Sequence, residues 1–152
     1  MRMRWVIGAL ATLHGHAAAQ SAPADSFTAM VAVPSRGDTL RGFIRVAQGA
    51  GPHLTVVLLQ GFPGSATPTL PAVMQAAGFN GVGFTFRGVR ASDGFYSVQG
   101  TIADAKAMVA LLRSDSARRL WRVDPDRIVL IGASAGTLSA MRALRPLAPQ
   151  DP

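Results

Sequence analysis

Residues 128–136 read IVLIGASAG, an apolar run that leads into a serine, Ser134, placed between two glycines. The apolar run is typical of a strand buried in a sheet, and the residues after the glycines are compatible with a helix up to about Leu144. A strand that turns sharply into a helix needs small residues at the turn, and such a turn lifts the serine hydroxyl above the sheet. The pattern predicts a nucleophile at Ser134, with Gly132 and Gly136 supporting the turn.

A second glycine-containing turn lies earlier in the chain. Residues 54–59 (LTVVLL) predict an interior strand, and Gly61 and Gly64 follow it closely. Backbone N–H groups that stabilise an oxyanion usually come from the residue after the nucleophile and from a loop that follows an earlier central strand. Those positions are Ala135 and Phe62 in this sequence. We therefore expect the amides of Phe62 and Ala135 to be the donors to the oxyanion.

The remaining sequence alternates between strand-like and helix-like stretches. The predicted strands are 27–33, 40–46, 54–59, 82–86 and 128–131, and the predicted helices are 70–77, 102–112 and 135–144. The first two strands form a predicted hairpin around 34–38, and 123–127 (VDPDR) predict a turn. This order predicts an α/β domain with a mostly parallel sheet and helices on both faces.

The N-terminus has the pattern of an export signal. Arg2 and Arg4 precede a short apolar run, and residues 17–19 are all alanine, which predicts cleavage near Ala19–Gln20. The alternatives are an uncleaved anchor or a disordered tail. Three segments are thus predicted, namely a signal peptide over 1–19, a linker over 20–25 and one partial domain over 26–152. We expect a secreted or periplasmic protein with no stable membrane span after cleavage, because the apolar run is too short for one.

The composition argues against several partners and cofactors. The formal net charge is +7, but the basic residues are scattered apart from Arg118, Arg119 and Arg122, for which a solvated helix end is the simpler explanation. No nucleic-acid-binding signature accompanies them, so no nucleic-acid partner is expected. The chain has no cysteine, which excludes disulfides and sulfur-ligated metal sites. No cofactor and no metal are expected.

Five motifs together resemble the first half of the α/β-hydrolase fold. They are LLQGFPG at 58–64, FRG at 86–88, SDG at 92–94, VDPDRI at 123–128 and GASAG at 132–136. The likeness is to the prolyl-oligopeptidase-like (peptidase S9-like) and dienelactone-hydrolase-like branches. It implies the N-terminal part of that fold with its C-terminal strands missing. It also implies a serine esterase or peptidase that acts by acyl transfer on a small-molecule ester or a peptide. Two positions depart from the family, which commonly has histidine at Gln60 and a larger residue at Ala133.

The implied mechanism needs a histidine base and an orienting acid, in the chain order serine, acid, histidine. No histidine follows Ser134, and the only later acid is Asp151. His14 and His16 belong to the predicted signal. His53 opens a predicted strand at its N-terminal end, roughly 20 Å from the end where ligands bind. The sequence therefore predicts a serine hydrolase that is truncated and is weakly active or inactive.

Other side chains and other functions have simpler or competing explanations. Lys106 and Asp104 are expected on a solvated helix face, and Asp93 is expected in a loop. One alternative is a non-catalytic pseudoenzyme or binding module. Another is a nucleotide-binding α/β domain that uses the glycine turns. In the resembled fold the strand at 128–131 lies mid-sheet, so the missing strands would leave it as an unpaired apolar edge, which predicts possible self-association by strand pairing.

Overall fold

The structure is a computed structural model that describes residues 25–143. The predicted signal peptide (1–19), most of the linker (20–24) and residues 144–152 lie outside the described residues. The elements are β1 (Phe27–Ser35), β2 (Asp38–Val46), β3 (His53–Leu59), α1 (Thr69–Ala76), β4 (Asn80–Phe84), α2 (Val98–Leu112), α3 (Asp115–Trp121), β5 (Val123–Gly132) and α4 (Ala135–Ala143).

The strands form one five-stranded sheet in the order β1-β2-β4-β3-β5. Strands β4, β3 and β5 run parallel, whereas β2 is antiparallel to both β1 and β4. The sheet is therefore mixed, with its parallel part formed by the three strands that lead into the site. Strand β3 is paired on both sides, as its unbroken apolar run predicts.

The helices cover both faces of the sheet, which confirms that part of the predicted fold. On β4, a Cβ at Gly81 would overlap the backbone of Pro71 in α1. The next residue, Val82, belongs to the main core together with Met108 of α2. Because successive side chains of a strand point to opposite faces, α1 and α2 lie on opposite sides. Helix α4 packs on the same side as α2, where it contacts both α2 and β5.

The first hairpin has a tighter turn than the predicted 34–38 segment. Ser35 pairs with Asp38, so only Arg36 and Gly37 form the loop, with φ values of 50° and 87°. Positive φ at both loop residues matches the right-handed twist of the flanking strands. Both strands of the hairpin are accordingly longer than predicted.

Helix α3 and the start of β5 were not predicted. Ser114 caps α3, because its Oγ accepts a hydrogen bond of 3.2 Å from the amide of Ala117. The turn predicted at 123–127 lies within β5, as an irregularity between the pairs His53–Val123 and Thr55–Ile128. The amide of Asp126 donates there to Oδ1 of Asp124 at 3.1 Å. Such irregularities are tolerated at a sheet edge, where Pro125 removes a donor without breaking an interior ladder.

The arginine cluster at α3 is only partly solvated. Arg118 and Arg119 are exposed, as expected for a helix end. Arg122 instead folds back onto the sheet, where its Nη2 donates to the carbonyl oxygen of Ala47 at 2.8 Å. Its guanidinium also lies 5.4 Å from the ring centroid of Phe27. The prediction of a solvated helix end is therefore wrong for Arg122.

Strand β5 forms one edge of the sheet, and part of its apolar surface is open. Val129 and Ile131 are 42% and 43% exposed. Ile128 and Leu130, on the opposite face, pack against the core. The predicted apolar edge is present within residues 25–143. In this part of the chain no helix is both long and apolar enough to cross a membrane.

Candidate active site

Ser134 lies at the turn between β5 and α4, and its backbone is left-handed, with φ of 51°. For a residue other than glycine this conformation costs roughly 1–2 kcal/mol. It persists here because the amides of Gly136 and Thr137 donate to the carbonyl oxygens of Ala133 and Ser134, both at 2.9 Å. Strain of this kind concentrates at functional sites. The turn leaves Ser134 exposed at the carboxyl end of β5.

The two glycines that flank the turn allow close backbone packing. A Cβ at Gly132 would overlap the carbonyl oxygen of Gly136, so the first turn of α4 folds directly over the end of β5. A Cβ at Gly136 would overlap the carbonyl oxygen of Leu59 and lie 2.8 Å from that of Gln60. Neither glycine has a positive φ. Close approach, rather than backbone freedom, therefore explains these glycines.

The loop after β3 lies directly beside the serine. A Cβ at Gly61 would lie 3.0 Å from Cβ and 3.5 Å from Oγ of Ser134. The amide of Ala133 also donates to the carbonyl oxygen of Leu59 at 3.0 Å, which ties the two loops together. Within the first loop the amide of Gly64 donates to the carbonyl oxygen of Gly61 at 2.7 Å. The structure thus brings together the two segments that the sequence predicted to form one site.

Phe62 and Ala135, the two predicted oxyanion donors, flank this junction. Ala135 is the first residue of α4, so its N–H has no acceptor within the helix. Phe62 follows Gly61 in the loop beside Ser134. The N-terminus of α4 also carries a partial positive charge from the helix dipole. Phe62 and Ala135 therefore each follow directly one of the two residues, Gly61 and Ser134, that meet at this junction.

His53 does not join this site. His53 is the first residue of β3, at the end of the strand away from Ser134, where its amide donates to the carbonyl oxygen of Arg122 at 2.7 Å. Its Nε2 lies 3.3 Å from the carbonyl oxygen of Gly49. Since β3 is seven residues long, about 20 Å separates its two ends. Among residues 25–143, no histidine is therefore placed to take a proton from Ser134.

Asp104 is unavailable as an orienting acid, and its predicted position on a solvated helix face is wrong. Asp104 is fully buried, and its Oδ1 accepts hydrogen bonds from Nε and Nη2 of Arg87 at 3.0 and 2.6 Å. Its Oδ2 accepts from the backbone amide of Arg87 at 2.9 Å. Ser35 Oγ donates to the same carboxylate at 2.8 Å. A buried carboxylate with these hydrogen bonds stabilises the fold and has no free oxygen with which to orient a histidine.

Arg87 connects three parts of the fold, and sequence reasoning assigned it no role. Besides Asp104 of α2, its guanidinium reaches Oγ of Ser35 at 2.7 Å and Oδ2 of Asp38 at 3.2 Å, both in the first hairpin. The hydrogen bonding of the Arg87 guanidinium to the Asp104 carboxylate raises the pKa of Arg87 above its ordinary value, with burial acting in the opposite direction. Arg87 is thus a permanent cation that holds the hairpin, α2 and the loop after β4.

The loop after β4 is fixed to β2 by further hydrogen bonds. Ser92 Oγ accepts from the amide of Arg41 at 2.9 Å and donates to the carbonyl oxygen of Thr85 at 2.7 Å. The amide of Asp93 donates to the carbonyl oxygen of Thr39 at 3.0 Å. The expectation that Asp93 lies in a loop is confirmed. The loop ends at the carboxyl edge of the sheet, where Tyr96 contacts the ring of Phe62.

Several solved structures share this arrangement of strands and helices. Esterase Pf2001 of Pyrococcus furiosus is 25% identical, with a TM-score of 0.62, over 78% of this chain and 47% of the esterase. EstE1, a carboxylesterase cloned from a metagenomic library, is 26% identical, with a TM-score of 0.59, over 75% of this chain and 39% of that protein. GrgF, an α/β hydrolase from a Penicillium species, is 20% identical, with a TM-score of 0.67, over 77% and 41%. No protein-family model and no curated protein matches the chain.

These likenesses show a partial α/β-hydrolase fold. The superposition extends over most of this chain but over less than half the length of each of the three structures. The prediction of a partial α/β-hydrolase fold is therefore confirmed.

Proposed function

We propose that this chain carries the nucleophile and oxyanion loop of a serine hydrolase that acts by acyl transfer on an ester or peptide bond. One observation carries the proposal, namely the left-handed serine at a strand-to-helix turn with Gly61 packed against it. A strained exposed serine has no evident benefit for folding, whereas an elbow of this kind presents a hydroxyl to a substrate. The esterases with the same fold support the proposal.

In the proposed reaction, Oγ of Ser134 attacks a carbonyl carbon while a base removes the hydroxyl proton. The carbonyl oxygen becomes an oxyanion, which the amides of Phe62 and Ala135 stabilise by hydrogen bonding. Collapse of this intermediate breaks the bond to the alcohol or amine, which takes up the proton held by the base, and leaves an acyl group on Ser134. Water then releases the acid. A prolyl-oligopeptidase-like or dienelactone-hydrolase-like specificity is the finer form of this proposal.

Within residues 25–143, none of the candidate side chains is placed to act as the base for Ser134. His53 lies at the amino end of β3, away from Ser134, and the carboxylate of Asp104 is paired with Arg87. No histidine follows Ser134 in the sequence. Without a triad member, an oxyanion site and substrate binding retain about 10³- to 10⁴-fold catalysis over water. We propose that this 152-residue chain is part of a longer hydrolase domain and turns over slowly by itself. A wholly non-catalytic binding module is the alternative outcome of the test.

Exogenous imidazole is expected to accelerate ester hydrolysis by the purified chain. A small diffusible base can replace an absent histidine, so release of p-nitrophenol from p-nitrophenyl acetate should increase with imidazole beyond the reaction of imidazole alone. The variant Ser134→Ala should lose this increment, and the control Ser116→Ala, which removes an exposed serine from α3, should keep it. Equal imidazole-dependent rates for all three proteins would exclude Ser134 as the nucleophile.

We also propose that β5 mediates self-association through pairing with a second copy. An edge strand with free backbone groups and exposed valine and isoleucine is a template for another strand. Strand β5 has these properties, since Val129 and Ile131 are 42% and 43% exposed.

The proposed export to a secreted or periplasmic location rests on the sequence pattern alone.

The substitution Val129→Lys is expected to shift the chain from oligomers to monomers. A charged side chain on an edge strand opposes pairing with another strand. The matched control is Met30→Lys in β1, at the other edge of the sheet, where Met30 is 79% exposed. Sedimentation velocity over a concentration series would measure the distribution. Wild-type chain that is monomeric at all concentrations would refute the proposal, as would an equal shift in both variants.

A further inference from the structure

An aromatic pair stands beside the candidate nucleophile. The ring centroids of Phe62 and Tyr96 lie 4.2 Å apart, with an angle of 39° between the planes. Phe62 comes from the loop after β3, and Tyr96 comes from the loop between β4 and α2. Phe62 is 56% exposed although it packs against Tyr96. One part of this aromatic surface is therefore open to a ligand.

The position of Tyr96 is fixed by its own loop. A Cβ at Gly88 would overlap the backbone nitrogen of Tyr96 and lie 2.8 Å from the carbonyl carbon of Phe95. Gly88 has a φ of 66°, and its amide donates to the carbonyl oxygen of Asp93 at 2.9 Å. The preceding residue is Arg87, which Asp104 holds in place. Tyr96 thus supports Phe62 from a firmly attached part of the fold.

The pair is also close to the reacting group. Gly61, the neighbour of Phe62, is so near Ser134 that an added Cβ would lie 3.5 Å from Oγ. Adjacent Cα atoms are about 3.8 Å apart across a trans peptide, so the backbone of Phe62 is one residue from this contact. The backbone that carries the Phe62 ring is therefore adjacent to the position of a substrate bound at Ser134.

We propose that Phe62 and Tyr96 form a specificity platform for a planar aryl group in the substrate. This inference rests on the proposed function, because it names the substrate class of the same site. Aromatic rings gain stacking or edge-to-face interactions beyond their burial, worth about two- to tenfold in affinity. A saturated ring of the same size buries similar area without that interaction. The platform therefore favours aryl over cyclohexyl or linear alkyl substituents.

The test compares two ligands that differ only in the ring, 3-phenylpropionamide and 3-cyclohexylpropionamide. NMR titration of the full chain, observing the ring signals of Phe62 and Tyr96, gives an affinity for each ligand. We expect about two- to tenfold tighter binding of the phenyl compound, with shifts centred on the pair. The variants Phe62→Leu and Tyr96→Leu should remove the preference. The control Phe95→Leu should retain it, since Phe95 is 91% exposed on the same loop.

Equal affinities for the two ligands, or shifts centred away from the pair, would overturn the platform. A second arm separates this failure from failure of the proposed function, by measuring covalent labelling of Ser134 with phenyl- and cyclohexyl-bearing fluorophosphonates. Faster phenyl labelling that depends on Tyr96 supports both proposals. Labelling of Ser134 without ring preference overturns the platform alone. Selective aryl binding without labelling supports the platform and counts against the nucleophile.

Discussion

The variant Asp104→Ala is expected to lower the free energy of unfolding by about 3–5 kcal/mol. Removing the carboxylate leaves the Arg87 guanidinium, which is mostly buried, without its main counter-ion. It also removes the acceptor for the Arg87 backbone amide and for Ser35 Oγ. Urea denaturation followed by circular dichroism would measure the effect.

The control for this variant is Asp115→Ala. Asp115 lies in the first turn of α3 and is exposed, so its removal should cost less than about 1 kcal/mol through the helix dipole. The comparison separates a buried ion pair from the general loss of a helix carboxylate. A loss for Asp104→Ala no larger than that of the control would contradict the role given to Arg87.

The variant Gly136→Ala is expected to be less stable than the wild-type chain by about 2–3 kcal/mol. Helix propensity alone predicts the opposite sign, because alanine is favoured over glycine inside a helix by about 1 kcal/mol. Packing decides the outcome, since the new Cβ would overlap the carbonyl oxygen of Leu59 and lie 2.8 Å from that of Gln60. The helix would have to move away from the end of β3.

This displacement should also disturb the site, because α4 carries Ala135 and adjoins Ser134. Thermal unfolding, with reactivity of Ser134 as a second readout, would measure both effects. The buried helical residue Ala143→Gly is a control for propensity, since it should destabilise without inserting an atom between α4 and β3. A Gly136→Ala variant as stable as the wild type would show that Gly136 does not hold α4 against β3.

The serine turn could be predicted from sequence because its determinants are local. The apolar run, the two glycines and the serine lie within nine consecutive residues, at 128–136. The oxyanion loop follows from the same reasoning, since the carboxyl ends of parallel strands meet at one edge of a sheet. The structure adds the reason for Gly61, since a Cβ at this position would lie 3.0 Å from Cβ of Ser134.

The buried ion pair could not be predicted, because its partners belong to separate elements. Arg87 and Asp104 are 17 residues apart, and Ser35 is a further 52 residues from Arg87. An aspartate on an amphipathic helix is ordinarily solvated, so the position of Asp104 on the helix did not predict its burial. The FRG motif at 86–88 marked the segment without indicating what the arginine contacts.

The same limit applies to the aromatic pair and to the start of β5. Phe62 and Tyr96 are brought together only by the order of β3 and β4 in the sheet. The segment 123–127 has turn-forming composition, and only its flanks pair with β3, Val123 with His53 and Ile128 with Thr55. The pairs on either side of the segment, which its local composition does not indicate, therefore place it within β5.

Covalent labelling by an alkyl fluorophosphonate tests the central claim, that Ser134 is the nucleophile, most directly. Peptide mass spectrometry after labelling should locate the adduct on Ser134, at a rate at least about 10²-fold above that of Ser116, since a single oxyanion donor contributes this much. The Ser134→Ala variant should carry no adduct, and Ser116→Ala should label as the wild type does. Equal labelling of Ser134 and Ser116 would contradict the account.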